Sequence, residues 1–86
     1  ELDLVRQRAD ALAGRGATRH AAERLDDAEA DYTAARTTYT DLGLHRPAGA
    51  CLVALAEIYT AAGRTDQADA AYELARGEYS GSTGPR

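Results

Sequence analysis

The chain of 86 residues contains no Phe, Trp, Met or Lys, and Cys51 is its single cysteine. One cysteine excludes an internal disulfide framework. Bulky apolar side chains come only from Leu, Val, Ile and five tyrosines, whereas 20 residues are alanines. Because Ala has the highest helix propensity and a small side chain, this composition favours closely packed helices around a thin core. We therefore predict an all-α fold in one small domain.

Excess positive charge and long apolar segments are also missing. The net charge of −4 argues against direct nucleic-acid contact, since such proteins need a basic face. No apolar run is long enough to cross a bilayer, and no basic segment followed by an apolar one indicates secretion. We expect a cytoplasmic protein without membrane contact. The chain opens on Glu1 rather than Met, and we interpret it as a fragment of a longer protein.

A repeat with a period of 40 residues organises the sequence. Aligning residues 1–40 with residues 41–80 gives 14 identities in 40 positions, among them the pairs Tyr32/Tyr72 and Tyr39/Tyr79. Each unit is expected to form two antiparallel helices joined by a turn, which makes four helices in all. We assign residues 1–40 to a degenerate first repeat, residues 41–80 to a second repeat and residues 81–86 to a disordered tail.

The second unit has the clearer helical pattern. Four apolar residues recur at the spacing of one helical face: Leu52, Leu55, Ala56 and Tyr59. They predict a helix from about Pro47 to Ala62, ended by Gly63 acting as a C-cap glycine. The next helix has its apolar side at Ala68, Ala71, Tyr72 and Ala75.

The first unit predicts one regular and one irregular helix. The regular helix runs from about Asp26 to Leu42 and carries an apolar stripe at Ala28, Tyr32, Ala35 and Tyr39. The irregular one covers about residues 3–22. Gly14 and Gly16 there each cost roughly 1 kcal/mol relative to Ala, so we expect this helix to be bent or frayed.

Six positions of the second unit resemble a tetratricopeptide repeat: Ala56, Tyr59, Gly63, Ala68, Tyr72 and Ala75. The period of 40 rather than 34 resembles the longer variant of that family, and the resemblance covers about residues 5–80. It implies a right-handed α-solenoid built from two helix-turn-helix repeats. It also implies a protein–protein interaction module without cofactor, part of a longer helical array that binds a protein or peptide. The alternative is a sensor or regulatory arm of a bacterial transcriptional regulator or signal-transduction ATPase, where actinobacterial proteins carry such repeats.

In that family the inner, concave face is lined by the first helix of each repeat. The resemblance maps this face onto eight positions in two sets: Asp10, Ala13, Ala17 and His20, then Ala50, Val53, Glu57 and Thr60. These residues are small or polar, with no aromatic anchor of the kind that dominates many binding sites.

Two arginines break the repeat pattern, because Arg15 and Arg19 stand where Leu55 and Tyr59 are expected to form core. Two interpretations remain open: they contact a carboxylate or phosphopeptide of a partner, for which guanidinium groups are well suited, or they are solvated or pair with nearby acids. The acidic run comprises Asp26, Asp27, Glu29 and Asp31. We interpret it as a solvated face, with a docking patch for a basic partner as the alternative.

No constellation of residues indicates an enzyme. His20 and His45 lie in different elements, and a Cys–His nucleophile would require a nearby base and a third, orienting group. The two histidines and Cys51 lack the spacing of a metal site. We interpret Cys51 as a buried core residue and the histidines as exposed. The absence of capping helices is expected to leave apolar edges at Leu2, Leu4 and Leu12, which favours self-association.

Overall fold

A computed structural model describes residues 2–82, which form four α-helices joined by three turns. Helix α1 spans Leu2–Ala21, α2 spans Leu25–Asp41, α3 spans His45–Ala61 and α4 spans Thr65–Ser82. No strand occurs between residues 2 and 82. The prediction of an all-α fold with four helices is thus confirmed.

The helices pack in chain order, α1 on α2, α2 on α3 and α3 on α4. Because the connections are the short segments 22–24, 42–44 and 62–64, neighbouring helices run antiparallel. The resulting slab measures 36 × 30 × 14 Å along its principal axes. Its short dimension leaves room for only a thin core, as the composition predicts.

Helix α1 continues without interruption through Gly14 and Gly16. We expected a bent or frayed helix there. Gly16 is buried, and a Cβ atom at this position would lie 3.1 Å from the ring of Tyr32 on α2. The glycine therefore lets the ring pack directly on the α1 backbone, and this contact offsets its low helix propensity.

The C-terminal boundary also differs from the prediction. We assigned residues 81–86 to a disordered tail, but α4 runs to Ser82. A single glycine lowers helix stability without ending a helix, and the first proline after α4 begins is Pro85. The rest of the predicted tail, residues 83–86, lies outside the described residues.

Each turn contains one residue with left-handed backbone geometry, and these residues are 20 positions apart. Their φ angles are 63° at Glu23, 74° at Gly43 and 77° at Gly63. Each is followed by an N–H that bonds back to the preceding helix, with N···O distances of 2.8 Å in all three turns. The structural unit is therefore one helix and one turn, half the period seen in the sequence.

The same 20-residue spacing recurs in the core. Ala28, Ala48 and Ala68 are all buried, and each donates its N–H to the carbonyl of the last turn residue before its helix. Among the described residues, eight of the fourteen buried apolar ones are alanines. The interior is therefore filled largely by small side chains, which let neighbouring helices approach closely.

Tyrosines add polar links between neighbouring helices. The hydroxyl of Tyr39 on α2 donates to Asp10 on α1, and that of Tyr59 on α3 donates to Glu29 on α2 at 2.9 Å. Both tyrosines lie near the ends of their helices, so each hydroxyl reaches across to the helix before it. These bonds satisfy the polar tips of otherwise largely buried rings.

Glu23 gives a direct test of the turn geometry, because it is the one non-glycine residue with positive φ among residues 2–82. Left-handed geometry costs a non-glycine residue roughly 1–2 kcal/mol. We expect Glu23→Gly to raise the free energy of unfolding by about 1 kcal/mol, measured by urea denaturation followed by circular dichroism.

Two matched variants separate backbone from side-chain effects. Glu23→Ala keeps a Cβ atom and should gain much less than Glu23→Gly, whereas Gly63→Ala imposes the strain on an equivalent turn and should lose about 1 kcal/mol. Equal stability of the Ala and Gly variants at position 23 would show that the backbone there is not strained.

Candidate functional site

The two arginines that interrupt the repeat pattern converge on a buried carboxylate. Asp31 on α2 is only 3% exposed. Arg15 donates to it through Nε at 3.0 Å and Nη2 at 2.9 Å, and Arg19 donates through Nη1 at 3.1 Å. This cluster, Arg15–Asp31–Arg19, joins α1 to α2. Arg15 binds Asp31 in the bidentate geometry in which guanidinium–carboxylate bonds are strongest.

The cluster holds Asp31 in its ionised form. Hydrogen bonding and positive charge from Arg15, together with Arg19, lower the pKa of Asp31 from its ordinary value, although burial acts in the opposite direction. Arg15 remains 56% exposed in its side chain and Arg19 26%. The carboxylate is therefore enclosed, while part of each arginine still faces the outer edge of the slab.

The 40-residue alignment shows what the cluster replaces. The positions equivalent to Arg15, Arg19 and Asp31 are Leu55, Tyr59 and Ala71. Leu55 and Ala71 are buried, and Tyr59 packs against the cluster that contains Ala71. The second hairpin, α3–α4, is thus joined by apolar contacts, whereas the first, α1–α2, is joined by charges. All three positions of the first hairpin differ in character from their equivalents in the second.

The rest of the acidic run is also largely paired, contrary to the solvated face that we expected. Asp27 accepts a bond from Arg24 at 2.6 Å, and Glu29 accepts from Tyr59 and, at 3.4 Å, from Arg64. Only Asp26 is both exposed and without such a bond in the structure. The partners of Asp31 and Glu29 lie outside α2, whereas Arg24 immediately precedes that helix. Pairing with nearby arginines was the alternative that the sequence left open.

We expect Asp31→Ala to lower the free energy of unfolding at pH 7 by about 1–3 kcal/mol, since it removes bonds between charged groups and leaves two arginines without their anion. Because the pKa of Asp31 is lowered on folding, its contribution is present at neutral pH and is lost as the pH falls below the ordinary carboxyl range. The stability difference between wild type and variant should therefore shrink in acid, as measured by urea denaturation from pH 7 to pH ~3.

The second hairpin supplies the matched control. The triple variant Arg15→Leu, Arg19→Tyr, Asp31→Ala copies its apolar set and should recover most of the lost stability, because well-packed apolar residues can replace a buried ion pair. Replacing both arginines while keeping Asp31 should be worse than Asp31→Ala alone. If the triple variant is the least stable, the two hairpins are not equivalent in the way proposed.

A groove of about 360 Å³ lies between α1 and α3, with α2 at its floor. Its walls consist of small residues and one proline, and its floor is aromatic: Ala13, Gly14, Pro47, Ala50, Cys51, Ala54, Tyr32 and Tyr39. The structure therefore brings together Ala13 and Ala50 from the predicted concave face. Sequence analysis did not identify the two tyrosines as part of this site.

The other predicted concave-face residues surround the groove or lie away from its lining. Asp10 is exposed and accepts the Tyr39 hydroxyl bond, and Glu57 is exposed on α3. Val53 is half-buried and packs against the core. In the last turns, Ala17 and Thr60 are exposed and His20 is half-buried.

Acidic groups determine the electrostatics of the groove. Burial and the carboxylate of Asp10 raise the pKa of Tyr39, whereas burial and the nearby Cys51 and Glu57 raise that of Tyr32. Both phenols therefore stay protonated at neutral pH. Asp10 and Glu57 thus bring negative charge close to the floor tyrosines, which themselves remain neutral.

The residues considered for catalysis do not come together. Cys51 is buried as predicted, but His20 and His45 are half-buried rather than exposed. His45 Nδ1 lies 2.8 Å from Glu78 Oε1, where Thr40 and Arg36 also approach that carboxylate. In the described part of the chain, no three His, Cys, Asp or Glu residues are grouped to hold a metal ion.

Comparison of the chain with protein-family models, curated proteins and solved structures found no match. Between Leu2 and Ser82, no helix is long and apolar enough to cross a membrane. The assignment of function therefore depends on the geometry of the site.

Cys51 provides a probe of the groove, because it lies in the wall that α3 forms. Burial raises the pKa of its thiol to about 11, and the thiolate is the reactive form. We expect iodoacetamide to label native Cys51 far more slowly at pH 8 than it labels the urea-unfolded chain, as measured by mass spectrometry. Equal rates for the native and unfolded chains would contradict a buried, protonated thiol.

Proposed function

We propose that the chain is a non-catalytic protein-interaction module that binds an extended peptide in the groove between α1 and α3. The observation that carries this proposal is the groove itself, a concavity whose walls belong to two different hairpins. Because small residues line both walls, a peptide backbone has room to approach the helices closely. The proposal also treats the chain as part of a longer array of helical hairpins, whether the further hairpins belong to the same protein or to other copies of it, in keeping with its resemblance to tetratricopeptide repeats.

Charge and residue size define the class of peptide. Asp10 on α1 and Glu57 on α3 are exposed acids on the two helices that border the groove, so a Lys- or Arg-containing segment is favoured over an acidic one. The apolar floor at Tyr32 and Tyr39 favours an aliphatic side chain between the basic residues. Such a ligand would bind weakly through two hairpins alone, since the groove offers few large contact residues.

The regulatory-arm alternative is based on the family resemblance alone. None of the contacts described above favours a transcriptional regulator or an ATPase over a separate docking module. The parent reading frame distinguishes them, because a P-loop or a DNA-binding helix-turn-helix encoded beside these repeats would indicate the regulatory arm.

Selection from a random peptide library on the immobilised chain tests the proposal. We expect enriched peptides to carry basic residues next to an aliphatic one. Ala50→Arg should weaken their binding by about tenfold or more, equivalent to about 1.4 kcal/mol, because it adds bulk and positive charge to a groove wall. Fluorescence anisotropy of a labelled peptide measures the affinity.

Ala30→Arg is the matched control, since Ala30 is exposed on α2 and lies on the side away from Tyr32. This variant should bind selected peptides as the wild type does. Glu57→Lys should weaken basic peptides selectively. The proposal fails if no peptide is enriched, or if enriched peptides bind the Ala50 and Ala30 variants equally well.

A further inference from the structure

The two outer edges of the slab, away from the peptide groove, expose apolar side chains. On α1 these are Leu2 and Leu4, which are 69% and 61% exposed; on α4, Tyr72 is 45% exposed. Helices α1 and α4 each have one main neighbour, whereas α2 and α3 have two. Each edge therefore presents a helix face that an inner helix would bury.

The exposed side of α4 repeats the side of α2 that receives α3. Four residue pairs, 40 positions apart, define this acceptor face: Glu29/Asp69, Tyr32/Tyr72, Arg36/Arg76 and Tyr39/Tyr79. On α2 the two tyrosines are buried between α1 and α3, since Tyr32 packs on Gly16 and Tyr39 bonds to Asp10, and both line the groove beside Cys51. On α4, the ring of Tyr79 packs on Gly49 of α3 in the same way. Glu29 receives bonds from Tyr59 and Arg64. The acceptor face on α4 therefore carries the same residue types in the same register.

The exposed side of α1 corresponds to the side of α3 that packs on α2. The equivalent pairs define a donor face: Leu4/Leu44, Ala11/Cys51, Arg19/Tyr59 and Arg24/Arg64. Leu44 is half-buried against the core, while Leu4 is exposed. Arg24 is 60% exposed in its side chain. The donor face is thus more basic on α1 than on α3.

From this match we propose that a second copy of the chain docks its α1 onto α4, so that the hairpins continue from one molecule into the next. In this arrangement, each α1 residue of the second copy takes the place that a residue 80 positions later would have if the repeat continued in one chain. Its Arg19 and Arg24 face Asp69, as Tyr59 and Arg64 face Glu29 within one molecule. Its Leu4 occupies the place at the end of α4 that Leu44 occupies at the end of α2.

Charge favours a second copy as the occupant of this face. The segment Leu2–Arg24 has a formal charge of +2, and Thr65–Ser82 has −3. The two edges therefore attract each other, and salt weakens that attraction. Because donor and acceptor faces differ, the contact is head-to-tail and leaves a free edge at each end, which produces open chains of molecules rather than closed dimers.

One residue on the donor face opposes the contact. Arg8 is exposed and stands where α3 has the buried Ala48. Its charged head must extend past Tyr79 to reach water, so it weakens the association without blocking it. Removing this side chain therefore strengthens the contact.

Sedimentation equilibrium of the whole chain, from about 10 µM to about 1 mM, is the first test. We expect the weight-average mass to rise with concentration beyond that of a dimer, and to fall when salt is added. A monomer throughout this range overturns the proposal. A mass that levels off at the dimer also overturns it, because that indicates a closed, symmetric contact.

Charge-reversal variants test the register. Asp69→Arg alters the acceptor face, whereas Arg24→Asp alters the donor face and also removes the Arg24–Asp27 ion pair. Each variant alone should associate at least about tenfold more weakly. A mixture of the two should associate again, because it restores one wild-type interface and one with the charges exchanged. Circular dichroism verifies that both variants are folded.

Two further variants complete the test. Asp41→Arg makes the same charge change at an exposed residue outside both faces and should associate as the wild type does. Arg8→Ala should associate more strongly. Equal weakening by Asp69→Arg and Asp41→Arg, or no recovery in the mixture, would show that net charge rather than this register controls association. If a reversal variant does not fold, the wild-type concentration series and Arg8→Ala still decide.

Discussion

Close approach of helix backbones is the constraint on which this structure depends. Eight of the fourteen buried apolar residues in the described part of the chain are alanines, so the core gains stability mainly where neighbouring helices come into direct contact. Glycines permit two of the closest approaches, since a Cβ on Gly16 would meet the ring of Tyr32 and one on Gly49 the ring of Tyr79. Two of the tyrosine rings therefore pack directly on a helix backbone.

The turns maintain these contacts by repeating one geometry every 20 residues. Gly43 and Gly63 have left-handed backbone geometry, and Glu23 adopts it without the freedom of glycine. Each turn places an alanine at the start of the next helix where the backbones meet. The identical turns explain why a sequence with a 40-residue period folds as a series of single helices with equivalent connections. Successive helices differ in their side chains, but the turns that connect them have the same geometry.

Periodicity and turn residues were enough to predict α2, α3 and α4, because each has an apolar stripe at helical spacing and glycine follows two of them. The first helix was predicted from the 40-residue repeat. Contacts between helices were harder to predict from the sequence. Arg19 and Asp31 are 12 positions apart and meet only after the first hairpin folds. The sequence did hold a signal, since positions 15, 19 and 31 all change character relative to 55, 59 and 71. The continuity of α1 was missed for a similar reason, because Gly16 is stabilised by a ring on another helix.

The charged cluster also determines how the two edges of the slab differ. An apolar set at positions 15, 19 and 31 would also join α1 to α2, but it would leave part of the leucine and tyrosine exposed where part of Arg15 and Arg19 now faces water. Arginines join α1 to α2 through the enclosed Asp31, and their remaining N–H groups still face water. The first hairpin therefore has an ionic outer edge, while α4 keeps the aromatic and acidic pattern of an inner helix. This asymmetry makes any stacking of the hairpins directional, since a basic edge can meet an acidic one but not a second basic edge.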